Sequence, residues 1–221
     1  MDAVAVIFDL DGVLADSEPV HLAAEQAALA EHGHELSKAA KQPFVGLANA
    51  EIMRGLIDAF GIDTTIEELA EAKAAHQRTL LADMGGFPAT TELVRRLAAA
   101  SIPIAVASGS TRWNIDASLE AVGLAEFFDV RVSAEEVTLG KPAPDVFLEA
   151  ARRLGVRPED CVVVEDAVPG MTAALAAGMR CIAIPTITEP LDPEFGRAQL
   201  LFPAGMGSAD VEAILAFILL A

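Results

Sequence analysis

Positive charge is the scarcest feature of this 221-residue chain: 15 Lys and Arg stand against 33 Asp and Glu, for a formal net charge of −18. A surface that acidic repels nucleic acid and anionic membranes, so neither is expected as a partner. An anionic small molecule is not excluded, because a few local cations or a metal suffice to hold one. Most of the acidity reads as solubility. Cysteine is scarce as well. Cys161 and Cys181 each sit in an apolar run ("CVVVED", "MRCIAI"), where a small buried hydrophobe is expected rather than a disulfide or a metal pair. No apolar run reaches the roughly 18–20 residues that cross a bilayer, and the C-terminal "VEAILAFILLA" reads as a docked helix. No basic segment precedes a long apolar one at the start, so no signal peptide is expected. Internal repeats and low-complexity tracts are also missing. These absences leave a reduced, cytoplasmic enzyme or binding protein of one or two domains.

What is present is an alternation. Short β-branched runs recur at Val4–Phe8, Ile102–Ala107, Val130–Val132, Cys161–Val164 and Cys181–Ile184. They are continuously apolar, as strands covered on both faces must be. Helical patterns lie between them, several stopping at a glycine: Gly123, Gly155 and Gly178. Strand alternating with helix predicts an α/β fold with a doubly wound parallel sheet. One region departs from this. From 16 to 84 the periodicity is helical throughout, with stops at Gly33 and Gly61 and a return through "GGFP". The expected architecture is a Rossmann-like core, 1–15 and 85–221, with a helical domain inserted at 16–84. The insertion follows the first strand's C-terminal end, where open parallel sheets place their ligands.

That strand runs "VAVIFDLDG" straight into Asp9 and Asp11. Two carboxylates so close are costly unless something positive joins them. Three further polar marks punctuate the chain: Ser108-Gly109-Ser110 ends the second main run, Lys141 stands in the "GKPAPD" loop, and Glu165-Asp166 ends "CVVV". A right-handed parallel sheet would bring all four to one edge. Singly, each reads as a turn or a helix entry. Together they describe a phosphoryl-transfer site. Asp9, Asp166 and Glu165 offer carboxylates to a hard cation such as Mg²⁺. Ser108 offers a hydroxyl, the turns at Gly12 and Gly109 offer backbone N–H groups, and Lys141 offers a fixed charge. One aspartate could attack phosphorus while the other moves the proton.

In these four motifs, "FDLDGVLADSEP", "ASGS", "LGKPAPDVF" and "VVEDAVPGMTAALAAGM", the sequence resembles the haloacid dehalogenase superfamily of phosphohydrolases, in the branch with a helical cap after the first motif. The resemblance covers nearly the whole chain. It implies Asp9 as nucleophile, Asp11 as general acid/base, Ser108 and Gly109 at the phosphoryl group, and Lys141 steadying charge and orienting Asp9. It implies Mg²⁺ on Asp9, the carbonyl of Asp11 and Asp166, with Glu165 bound directly or through water. Dehalogenases lack an acid at the position of Asp11, so its presence implies phosphate-ester chemistry on a small phosphorylated metabolite such as a sugar phosphate or phosphoglycolate. The cap would select that substrate. "DSEPVH" is similar to sugar-phosphate phosphatases and β-phosphoglucomutase-like enzymes, whose histidine at the position of His21 approaches the site. The mutases carry Lys before the cap glycine and Arg three residues after it. Here Val45 precedes Gly46 and Asn49 follows it, which favours a hydrolase over the phosphomutase alternative. Arg54 and Lys41 are read as solvated helix residues, and Arg112 as a weak site candidate. A phosphoacceptor signalling module, which also combines acids, a hydroxyl and a lysine, is the competing reading from another class. Its nucleophile would not stand on the first strand, nor would it carry so large an insertion.

Overall fold

The computed structural model describes residues 4–44, 49–81 and 84–220. The chain divides into two compact units, 1–16 with 85–221, and 17–84. In the first unit β1 (Ala5–Phe8) leads into a tight turn and β2 (Ala15–Asp16). The second unit contains α1 (Glu18–Ala30), α2 (Lys38–Lys41), α3 (Asn49–Phe60) and α4 (Ile66–Leu80). The chain returns through β3 (Gly85–Gly86), which pairs antiparallel with β2. The insertion thus leaves and re-enters through a two-stranded ribbon.

The first unit continues as α5 (Pro88–Ala99), β4 (Ile104–Ser108), α6 (Arg112–Ala121), β5 (Val130–Ser133), α7 (Asp145–Leu154), β6 (Cys161–Glu165), α8 (Val168–Ala176), β7 (Arg180–Ala183), β8 (Leu200–Leu201) and α9 (Val211–Leu219). Six of the strands form one sheet in the order β5–β4–β1–β6–β7–β8, every pairing parallel. This is the doubly wound α/β sheet that the apolar runs predict. Every residue of β1 is withdrawn from solvent, because helices cover both faces of such a sheet. Phe8 meets Phe128 edge to face, ring centres 5.9 Å apart. Cys161 and Cys181 are buried free thiols, and burial pushes Cys161 up to about 11. They behave as the small hydrophobes the sequence implies. No described helix is long and apolar enough to cross a membrane.

Four elements escape the sequence pattern: the ribbon strands, α2 and the edge strand β8. Each is four residues or shorter, too short for a period to register. The second run also ends one residue later than its apolar pattern, so Ser108 is the last residue of β4 rather than the first of a loop.

Within the helical unit, Leu29, Met53, Leu56 and Leu69 form the core. Thr65 and Glu68 close a capping box on α4. Lys41 corrects the expectation of a solvated cation: it is only 4% exposed. Its Nζ lies 2.6 Å from Glu25 Oε2, and Lys73 Nζ lies 2.8 Å from Glu25 Oε1. Burying these charges is tolerable because each has an opposite partner. Asn49 Oδ1 accepts from Lys73 Nζ at 2.9 Å, while Arg54 is exposed on α3. Val45 and Gly46 lie outside the described residues.

Candidate active site

Three neighbouring central strands, β4, β1 and β6, carry the polar marks at their carboxyl ends. The register sets Phe8 level with both Val106 and Val164. Asp9 follows directly, and its N–H donates to the Val164 carbonyl at 2.9 Å. Ser108 therefore flanks it on one side and Glu165-Asp166 on the other. Continuously apolar strands leave no room for a polar side chain until the sheet ends, so the chemistry collects at that edge.

Lys141 reaches this edge from the loop between β5 and α7. Its Nζ donates to Asp9 Oδ1 at 2.5 Å and to Glu165 Oε1 at 2.7 Å, and it stands 4.8 Å from the centre of the Phe147 ring. The other oxygen of Glu165 accepts the N–H groups of Asp166 and Ala167, at 2.9 and 2.8 Å. Both oxygens of Glu165 are thus engaged. Its side chain lies so close to α8 that a Cβ on Gly170 would come within 1.6 Å of Glu165 Oε1. Alanine ordinarily stabilises a helix over glycine by about 1 kcal/mol. Here the clash with a buried, triply held carboxylate should reverse the sign. Gly170→Ala is expected to cost about 1–3 kcal/mol by chemical denaturation, and a stability gain would contradict this packing.

Gly12 makes the turn after the two aspartates. Its φ is +77°, and a Cβ there would stand 2.3 Å from Asp166 Oδ2, so only glycine allows both the left-handed turn and the close approach. Asp11, half-buried, accepts at Oδ2 from Ser110 Oγ at 2.9 Å. The N–H of Ser110 donates to Ser108 Oγ at 3.0 Å, and its carbonyl accepts from Ser133 Oγ at 2.8 Å. Ser108 is buried and Gly109 exposed. Thr186 donates to Asp166 Oδ2.

Electrostatically the edge is short of positive charge. Burial raises the Asp9 carboxyl from 3.8 to about 7; Lys141 opposes the rise, and Glu165 and Asp11 add to it. Burial, then Glu165 and Asp9, likewise raise Asp166 well above the ordinary carboxylate range. Burial works against the charge of Lys141, but Asp9 and Glu165 outweigh it and keep the ammonium protonated.

Asp9, Lys141 and Glu165 thus form one connected group, with Asp166 joined to it through Glu165. Ser108 and Asp11 are joined to each other through Ser110. His21 belongs to α1 in the helical unit. Arg112 opens α6, with Nε 3.0 Å from Asp116 Oδ2, a partner on its own helix rather than at the strand ends. Ser110, Gly170 and Thr186 also touch this group of side chains, although the sequence pattern does not mark them out. The first two stand inside motifs already singled out. Thr186 is the first polar side chain after the run "CIAIP", the same signal that marks the other strand ends.

A parallel sheet with acids, a hydroxyl and a lysine at its carboxyl edge, and a helical insertion after the first strand, is the frame of one hydrolase family. The chain belongs to the haloacid dehalogenase-like hydrolases, whose family model matches residues 6–184. It is 35% identical over 179 residues to the fructose-1-phosphate phosphatase YqaB of Escherichia coli, covering 81% of this chain and 95% of that protein. It is 40% identical over 191 residues to Protein SUPPRESSOR OF QUENCHING 1, chloroplastic, of Arabidopsis thaliana, and the match spans 82% of this chain but only 18% of that protein. Its fold resembles the crystal structure of CbbY from Rhodobacter sphaeroides in complex with phosphate. The TM-score is 0.81 at 27% identity, covering 92% of this chain and 95% of the other.

Proposed function

We propose that the chain is a Mg²⁺-dependent phosphatase of small phosphorylated metabolites, sugar phosphates or phosphoglycolate-like esters, working through an aspartyl-phosphate. The observation that carries this reading is Asp9 itself. It is a buried carboxylate at the end of a central strand, held by Lys141, with a second acid two residues on and a buried serine hydroxyl on the adjacent strand. The fructose-1-phosphate phosphatase and the phosphate complex named above support the same chemistry.

The donor set fits magnesium. Asp9 and Asp166 are hard oxygen donors whose carboxyls are raised above their ordinary range first by burial and then by their acidic neighbours, and Mg²⁺ characteristically takes one or two carboxylates. We assign Asp9, Asp166 and the Asp11 carbonyl as ligands. Glu165, with both oxygens engaged by Lys141 and backbone N–H groups, is assigned to holding Lys141 and the turn after β6 instead. When bound, the ion would neutralise charge on the carboxylates and on the phosphoryl oxygens.

The rest falls to the chain's own groups. Lys141 and Ser108, with backbone N–H groups at Gly109, receive the phosphoryl oxygens. Asp9 attacks phosphorus, forming a new P–O bond as the ester P–O bond breaks, and Asp11 gives the leaving oxygen its proton. Asp11 then takes a proton from the water that releases phosphate from Asp9. To the inserted helical unit, with His21 on α1, we assign the selection of the substrate. Product analysis by phosphorus NMR should show free phosphate accumulating from a sugar phosphate. An isomerised sugar phosphate would replace this reading with the phosphomutase one. A phospho-form that decays slowly without turnover would replace it with a signalling module.

A pH dependence follows. Protons compete with the cation for Asp9, whose carboxyl burial raises to about 7. Calorimetric Mg²⁺ affinity should therefore rise from pH 5.5 to pH 8, and a flat profile would contradict the assignment. The sign for stability is opposite. A carboxyl raised above its unfolded value favours the fold below that value and loses the contribution as pH rises through about 7. In chelator, the melting temperature of wild type relative to Asp9→Asn should fall over the same interval.

A further inference from the structure

The sheet ladder continues past the end of β7. Glu165 pairs with Ala183, the N–H of Ile184 donates to the Glu165 carbonyl at 2.8 Å, and the N–H of Thr186 approaches the Asp166 carbonyl at 3.4 Å. This register sets Thr186 beside Asp166, where its hydroxyl donates to Oδ2. Gly12 approaches the same pair of atoms, so closely that a Cβ there would lie 2.3 Å from Asp166 Oδ2 and 2.6 Å from Thr186 Oγ1. Asp166 Oδ2 therefore lies against one hydroxyl, carried by backbone that continues the sheet ladder, and one glycine in the turn after β1.

We propose that Thr186 is a positioning residue for the cation: by occupying Oδ2 it fixes the rotation of the Asp166 carboxylate and leaves the other oxygen to the ion. The role rests on the phosphatase reading above and adds to it a residue outside the four motifs. Partners that hold a metal-ligating carboxylate typically change affinity by about 10–100-fold when removed, because an unrestrained carboxylate must be ordered as the ion binds. Gly12 completes the device by being small. Any side chain there would displace either the hydroxyl or the carboxylate.

Thr186 is exposed and borders, with Gly12 and Met206, an open cavity of about 260 Å³, so substitutions at this position have room. The test is calorimetric titration of the whole 221-residue chain, free of substrate, with Mg²⁺ alone. Thr186→Val, which keeps the shape and removes the donor, should weaken binding about tenfold or more with an unchanged melting temperature in chelator. Thr186→Ala should do the same, and Thr186→Ser should bind as wild type. In turnover assays Thr186→Val should raise the Mg²⁺ concentration for half-maximal rate while leaving the rate at saturating Mg²⁺ within about twofold. Wild-type affinity in Thr186→Val, or failure of serine to restore it, would overturn the role. The outcomes separate from those of the parent reading: Mg²⁺-dependent turnover with unaltered Thr186→Val affinity removes Thr186 alone, whereas turnover indifferent to Mg²⁺ in wild type removes the assigned ion.

Discussion

Asp9→Asn is expected to lower Mg²⁺-dependent phosphate release by at least about a thousandfold, to the limit of a sensitive assay, while the protein stays folded. Asparagine keeps the shape of the side chain and its place at the end of β1, where the backbone N–H is already bound to Val164. What it loses is the anionic oxygen to which the proposed mechanism gives the attack on phosphorus. An amide oxygen is a poor nucleophile and a weaker ligand. The fold should tolerate the change, because a neutral side chain removes the like-charge contacts of Asp9 with Glu165 and Asp11. Lys141 keeps Glu165 as its partner at 2.7 Å. A variant that melts at or above the wild-type temperature in chelator and releases no phosphate is the expected pair of results. Undiminished release would remove Asp9 from the chemistry.

Lys141→Met should be the more damaging change to the fold. The ammonium is the shared partner of two buried carboxylates, and removing one member of a buried ion pair commonly costs about 3–5 kcal/mol. Protonation offers an escape, since an acid left without its cation can take up a proton rather than remain a buried charge. The cost should therefore be smaller at pH 5.5 than at pH 8. Denaturant unfolding of wild type and variant at both values measures this directly. Equal destabilisation at the two values would mean that Lys141 contributes packing against Phe147 rather than charge. Turnover should fall steeply as well, because Lys141 holds Asp9 and, in the proposed mechanism, meets the charge on the transferring group.

The sequence makes the edge of the sheet readable because apolar strands end abruptly. A run such as "VAVIF" or "CVVV" admits no polar residue until the strand clears its covering helices, so Asp9, Ser108 and Glu165 mark strand ends by their position alone. Lys141 has no strand to announce it and was legible only through its motif. The partnerships lie beyond any local pattern. Lys141 meets Glu165 across 24 positions and Asp9 across 132, and Ser110 meets Asp11 across 99. Gly170 looks like an ordinary small residue in a helix until the Glu165 side chain is seen lying against it. Lys41 departs from its local pattern for a related reason. A lysine on a short helix is normally solvated, and its burial depends on Glu25, an acid on a different helix. Pattern reads which residues face inward; charge pairing across the fold decides which exceptions survive there.

The central claim, a Mg²⁺-dependent phosphomonoesterase acting on small metabolites, is tested most directly by a panel of phosphorylated metabolites assayed for free phosphate, with Mg²⁺ and with chelator. The account predicts release from one or more sugar phosphates or phosphoglycolate-like esters, abolished by chelator and restored by added Mg²⁺. No release from any member of the panel, or release that chelator leaves untouched, would contradict it.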